Sequence, residues 1–166
     1  FMSSYKKGKE NLKWFIHVTL PKGSTALDVG ACDGEYFNLL GDWLEMDACE
    51  VFAPNITKYN LSEKYRKVYL SDIKDFKYGM YDLVIFGDVI EHMTVEAAQS
   101  VLEYAKQHSK MVIVAVPYRY KQDALYGNPF ERHIQDDLTE DLFMERYPGF
   151  ELKIPFPNYG YWIWQK

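Results

Sequence analysis

Apolar residues along this chain gather in short, nearly unbroken runs, and between the runs they recur at helical spacing. The runs at 25–29, 46–53, 67–70, 81–86 and 111–116 predict five strands. The near-continuous apolar character of 81–86 (YDLVIF) and 111–116 (MVIVAV) is that of strands covered on both faces, as in a parallel sheet. Two further strands are predicted at 150–154 and 159–164. Ahead of the first strand, Tyr5, Leu12, Phe15 and Ile16 follow a loose helical period that Gly8 interrupts and Pro21 stops, so a leading helix is expected within 3–20. After the first strand, Phe37, Leu39, Leu40, Trp43 and Leu44 predict a helix running on from Glu35, and a short helix is expected within 56–65. Thr94 is placed as an N-cap, Glu96 suits the first turn, and Val95, Ala98, Leu102 and Ala105 share a face, which predicts a helix over 94–108. Thr139 begins the last helix, with Leu138 and Phe143 at the two positions of a hydrophobic staple and Pro148-Gly149 as its stop. Residues 118–137 carry no period. A connection of that length inside a compact domain is functional or mobile, and it is read as a substrate loop. Strands alternating with helices predict an α/β domain with a parallel, doubly wound sheet, spanning 3–166 as one unit and binding ligands beyond the carboxyl ends of its strands.

Composition narrows this only slightly. With 166 residues, 48% hydrophobic and 17% aromatic, the chain has enough apolar surface for one core, which excludes disorder. A net charge of −5 argues against a nonspecific nucleic-acid coat, although Lys6, Lys7, Lys9, Lys13 and Lys22 against Glu10 make the amino-terminal segment basic. The two cysteines, Cys32 and Cys49, supply neither a disulfide framework nor a metal knuckle, and no apolar run approaches the roughly 18 residues of a membrane span. A soluble cytoplasmic protein without a leader is expected, and Phe1, ahead of Met2, is read as foreign to the domain.

The candidate chemistry sits where strands end. In TALDVGACDGEYF, residues 25–37, Gly30 and Gly34 bracket a tight turn between a strand and a helix, so that no Cβ blocks the approach of a ligand to backbone. Asp28 at the end of that strand would repel a pyrophosphate, but would attract an ammonium group or hold loop amides. A dinucleotide fingerprint would need glycines where Cys32 and Glu35 stand, so a cationic ligand is expected instead. Glu50 lies near the end of the second strand, Asp72 follows the third and Gly87-Asp88 follows the fourth.

These motifs, in this order, resemble those of the class I S-adenosylmethionine-dependent methyltransferases, and the resemblance runs from Ser24 to the carboxyl end. Asp28-Val29-Gly30-Ala31-Cys32-Asp33-Gly34 is similar to the family's first motif, with Cys32 where many members have a second glycine. The resemblance implies a Rossmann-like, mostly parallel seven-stranded sheet with an antiparallel last strand and helices on both faces. It implies S-adenosylmethionine as cofactor, with Glu50 and Val51 at the ribose and Asp72 and Ile73 at the adenine. Asp28, Gly30, Ala31, Asp33 and Gly34 would form the loop, and Gly87, Asp88 and Val89 the wall after the fourth strand. The implied reaction is in-line methyl transfer to oxygen or nitrogen of a small-molecule or glycan-type acceptor, with nucleic acid and membrane not expected as partners. A general base would come from His92 or His133, with Glu131 beside the latter; Asn128 to His133 stands out in the loop together with Tyr118, Tyr120 and Tyr126. Two duller roles stay open: His92 as a helix cap, and Glu131 as a partner of Arg132 or another neighbour. Asp88, Glu91 and His92 also resemble the acid-x-x-Glu-His pattern with which small-RNA 3′-terminal 2′-O-methyltransferases hold a divalent metal, where Glu replaces Asp88 and His133 would be the fourth ligand. The leading expectation is a site without metal; the RNA enzyme and an inactive cofactor-binding module are the alternatives.

Overall fold

A computed structural model describes residues 8–125 and 127–166; Tyr126 and residues 1–7, with Tyr5, Lys6 and Lys7, lie outside the described residues. The elements in chain order are α1 (Lys9–Thr19), β1 (Thr25–Val29), α2 (Glu35–Leu40), β2 (Glu45–Glu50), α3 (Ala53–Lys58), α4 (Leu61–Lys64), β3 (Val68–Leu70), β4 (Tyr81–Gly87), α5 (Val95–Gln107), β5 (Ser109–Pro117), α6 (Glu140–Arg146), β6 (Glu151–Phe156) and β7 (Tyr159–Gln165). Single 3-10 turns stand at Ile90–His92 and Pro129–Glu131.

The described strands form one seven-stranded sheet in the order β3-β2-β1-β4-β5-β7-β6. β1 to β5 run parallel, and β7 lies antiparallel between β5 and β6. The chain winds outward from β1 to β3 and then returns to add β4 on the other side, which puts the switch point between β1 and β4. Alternation along the strands sorts the core into two layers. Leu27, Val29, Val84, Phe86, Val112 and Val114 pack under α5 and α6, whereas Ala26, Leu83, Ile85, Met111 and Ile113 pack under α1, α2 and α4. Helices therefore cover both faces.

Capping follows the sequence at two helices. Thr94 Oγ1 accepts from the Ala97 amide at 3.3 Å and Thr139 Oγ1 from the Leu142 amide at 3.2 Å. Leu138 and Phe143 are both buried in one cluster, as a staple requires. Beyond shifts of one or two residues at strand ends such as β5 and β6, three differences from the sequence pattern stand out. α2 stops at Leu40, because the Trp43 indole N–H donates to the Leu20 carbonyl at 2.8 Å and pulls the chain toward β2. β2 ends at Glu50 rather than Ala53, and Pro54 sits in the first turn of α3, where its missing N–H costs nothing. The helix expected over 56–65 is two short helices, parted at Asn60 with φ +52. Among the described residues, no helix is long and apolar enough to cross a membrane.

Candidate active site

Gly30, at φ +69, donates its amide to the Cys49 carbonyl at 2.8 Å, and a Cβ there would stand 2.8 Å from Val89 Cγ2. Cys32 follows in the left-handed region at φ +46, and its amide donates to Glu50 Oε2 at 2.8 Å. Glu50 Oε1 accepts the Phe52 amide at the same distance, so this one buried carboxylate ties the glycine loop to the end of β2. Burial pushes its pKa up, and the two amides oppose that shift.

Asp28 does something other than the sequence suggested. It points beneath the loop, away from the cavity, and accepts a hydrogen bond from the Tyr65 hydroxyl at 2.5 Å. It is 1% exposed, its Oδ1 has no hydrogen-bond partner among the described residues, and burial pushes its carboxyl up to about 7. The loop amide is held by Glu50, not Asp28, because β1 alternation aims residue 28 at the α1–α2 layer. Gly34 is likewise off the cavity, at φ +78 against the Lys64 side chain.

Beyond the carboxyl ends of β1, β2 and β4 lies a cavity of about 620 Å³. Gly30, Ala31 and Asp33 border it from the loop, Glu50 and Val51 from β2, and Asp72 and Ile73 from the segment after β3. Gly87, Asp88 and Val89 close the opposite wall. Asp72 accepts the Lys74 amide at 3.0 Å on Oδ1 and pairs with Lys74 Nζ at 3.1 Å on Oδ2. Gly87 is required by contact: a Cβ would meet Tyr36 Cε2 at 2.1 Å. Asp88, at φ +55, accepts the Tyr159 hydroxyl at 3.0 Å. Tyr36, Asn158 and Tyr159 border the cavity as well, and no spacing in the sequence marks them.

The cavity continues into a polar, aromatic end. His92 lies in the 3-10 turn and donates Nδ1–H to the Arg132 carbonyl at 3.1 Å, while His133 donates Nδ1–H to the Tyr120 carbonyl at 2.8 Å. A carbonyl can only accept, so in both neutral rings the lone pair is on Nε2. The rings stand edge to face at 4.7 Å. Burial holds both pKa values below the ordinary imidazole value. Glu91 is fully buried, neither of its oxygens has a hydrogen-bond partner among the described residues, and Oε1 lies 4.0 Å from His92 Nε2. Burial, reinforced by Asp88, holds its carboxyl well above the usual range. Glu131 accepts from Gln122 Nε2 at 3.4 Å and from Asn128 Nδ2 at 3.2 Å, rather than from Arg132, which pairs with Asp123. The cap of α5 is Thr94, not His92.

Glu91, His92 and His133 each offer a ligand atom, all within 4.8 Å of one another. Asp88 is not in that group; its carboxylate is turned to Tyr159.

No family model matches the chain, and no curated protein matches it. Solved structures do. An S-adenosylmethionine-dependent methyltransferase from Clostridium acetobutylicum is 11% identical, with 97% of this chain and 91% of that one covered at a TM-score of 0.72. The 1,6-didemethyltoxoflavin-N1-methyltransferase of Burkholderia thailandensis, with 1,6-didemethyltoxoflavin and S-adenosylhomocysteine bound, is 16% identical over 97% of this chain and 79% of that one, with a TM-score of 0.68. Magnesium protoporphyrin IX methyltransferase from Synechocystis, with S-adenosylmethionine bound, is 14% identical over 95% and 77%, with a TM-score of 0.66. This chain has the fold of the class I S-adenosylmethionine-dependent methyltransferases.

Proposed function

We propose that this protein transfers the methyl group of S-adenosylmethionine to oxygen or nitrogen of a small-molecule or glycan-type acceptor. The observation that carries the reading is one continuous cavity. The Glu50-tethered glycine loop, Asp72-Ile73 and Gly87–Val89 border one part of it, and His92, His133 and Glu131 border the rest. Its volume of about 620 Å³ suits a nucleoside-sized ligand with a small acceptor beside it. The small-molecule enzymes with the same fold support this acceptor class.

The cofactor, when bound, supplies an electrophilic methyl on a sulfonium, so the protein's task is to hold two reactants in line and keep water out. Glu50 would accept from the ribose hydroxyls, Asp72 would face the adenine amine, and Ile73 would pack on the ring. His133 Nε2, fixed by the Tyr120 carbonyl behind it, would take the acceptor's proton; His92 is the second candidate.

A second reading is favoured by one observation. Glu91 is buried with two unpartnered oxygens, facing imidazoles whose Nδ1–H groups are already committed to carbonyls. Such a donor set fits a divalent cation, and backbone partners at Nδ1 are what orient metal-bound histidines. Mg²⁺ or Mn²⁺ held there would polarise an acceptor hydroxyl, as in the RNA-terminus alternative.

Calorimetry with S-adenosylhomocysteine is the decisive first measurement: saturable binding at one site is expected, and no binding would overturn the reading. Titration with Mn²⁺, followed by electron paramagnetic resonance, separates the metal reading from the metal-free one. Turnover on an acceptor panel separates an enzyme from an inactive module.

A further inference from the structure

The loop over 118–137 leaves the sheet at β5, and among the contacts that fasten its far end is one buried side-chain amide. Gln135 Nε2 donates to the carbonyls of Ile90 at 2.8 Å and Met93 at 3.1 Å. Its Oε1 accepts from the Tyr147 hydroxyl at 2.7 Å and from Arg146 Nη1 at 3.2 Å. Beside it, the backbone amides of Ile134 and Gln135 donate to the Glu91 carbonyl at 2.8 and 3.0 Å. The 3-10 turn that carries Glu91 and His92, with Met93 just after it, is thereby bound through the carbonyls of Ile90, Glu91 and Met93 to the segment that carries His133, and Gln135 binds that segment to the end of α6.

Only an uncharged amide fits this position. It must present two donors toward the turn and accept two bonds from α6; a carboxylate would aim acceptors at two carbonyls, and a cation would meet Arg146. An apolar residue would leave the Tyr147 hydroxyl and the Arg146 guanidinium without this acceptor. Each histidine ring also takes its orientation from the loop, since their Nδ1–H groups are donated to the carbonyls of Arg132 and Tyr120. If the loop slides, the rings move with it.

We propose that Gln135 is the positioning residue that locks the 118–137 loop onto the Ile90–His92 turn and so sets His133 against His92. The proposal rests on reading these histidines as the acceptor end of a methyltransferase site, and it holds whether they act as bases or as metal ligands. Gln135 touches neither reactant; its effect passes through the two rings.

The test uses Gln135→Met, which keeps the volume and removes all four bonds, and Gln135→Glu, which keeps the two acceptor bonds and removes the two donors. Long-range ¹H–¹⁵N spectra of the histidine rings report tautomer, and cross-ring proton contacts report the His92–His133 approach. Both variants are expected to lose the cross-ring contact and the single Nδ1–H tautomer of His92, whose partner carbonyl belongs to the loop, while affinity for S-adenosylhomocysteine changes by less than about twofold, since Gln135 does not border the cavity and Glu50 takes its loop bonds from the Cys32 and Phe52 amides. Thr139→Ala, which weakens α6 without touching Gln135, is expected to leave the rings as in the parent. Retention of ring geometry in both Gln135 variants, or an equal change in Thr139→Ala, overturns the proposal. Failure of both variants to fold makes Gln135 a folding determinant instead and overturns it equally. The ring measurement needs no cofactor, so a protein that binds no S-adenosylhomocysteine refutes the methyltransferase reading and leaves the Gln135 result separately readable.

Discussion

A neutral imidazole with its Nδ1–H committed to a carbonyl has one lone pair left to offer, and His92 and His133 are both held in that state. Replacing His133 by Ala is expected to lower kcat by about 10²-fold or more while cofactor affinity stays constant; unchanged turnover would remove it from the mechanism. Because burial lowers both histidine pKa values, the base remains unprotonated through neutral pH. The kcat profile should therefore be flat from neutrality upward and fall only on acidification below the ordinary imidazole value. Asp28 gives the opposite kind of pH dependence. Its carboxyl rises from 3.8 to about 7 in the folded chain, so the folded state binds that proton more tightly. The associated stability is complete below the unfolded value and is lost as pH rises through about 7. Asp28→Asn cannot ionise, and it should exceed the parent in stability at about pH 9 by roughly 1–4 kcal/mol, with the gain vanishing in acid. Denaturant melts at the two pH values check this.

At the scale of elements, the turn between β1 and α2 depends on a carboxylate eighteen positions downstream of the cysteine whose amide it accepts. Glu50→Gln can accept one of the two amides but not both, and S-adenosylhomocysteine affinity should drop by about ten- to a hundredfold; calorimetry on a variant shown to be folded would expose any smaller effect. The Thr139 cap is an ordinary structural device, and its loss should cost about 1 kcal/mol without touching turnover. Local periodicity marked the strands, the Thr139 staple and the Thr94 cap because each depends on residues close in sequence. It missed the end of α2, since Trp43 and Leu44 continue the apolar spacing of that helix and only the distant Leu20 carbonyl diverts them. It also assigned the loop amides to Asp28 rather than Glu50, because whether an acid faces a loop or a core layer is set by strand alternation against helices placed later in the chain.

For the molecule as a whole, strand ends from separate crossovers meet beyond the carboxyl ends of the parallel strands, and that convergence is what the motif order in the sequence foretold. Tyr36, Asn158, Tyr159 and Gln135 were not legible, because each owes its place to a partner far along the chain: Gly87 for Tyr36, the Tyr118 amide for Asn158, Asp88 for Tyr159, the Ile90–His92 turn for Gln135. From the acidic balance of −5, no RNA retention is expected at about 150 mM salt; tight binding with a steep salt slope would favour the RNA-terminus alternative. β7 is an interior strand: it pairs with β5 from Pro117 to Met111 on one side and with β6 on the other, and Tyr159 at its start reaches Asp88. A nick between Pro157 and Asn158 would therefore divide the protein into two pieces that reassemble only when the short one is zipped into the middle of the long one. Cofactor binding would then become a reporter of strand insertion, and a synthetic peptide covering 158–166 should switch it on.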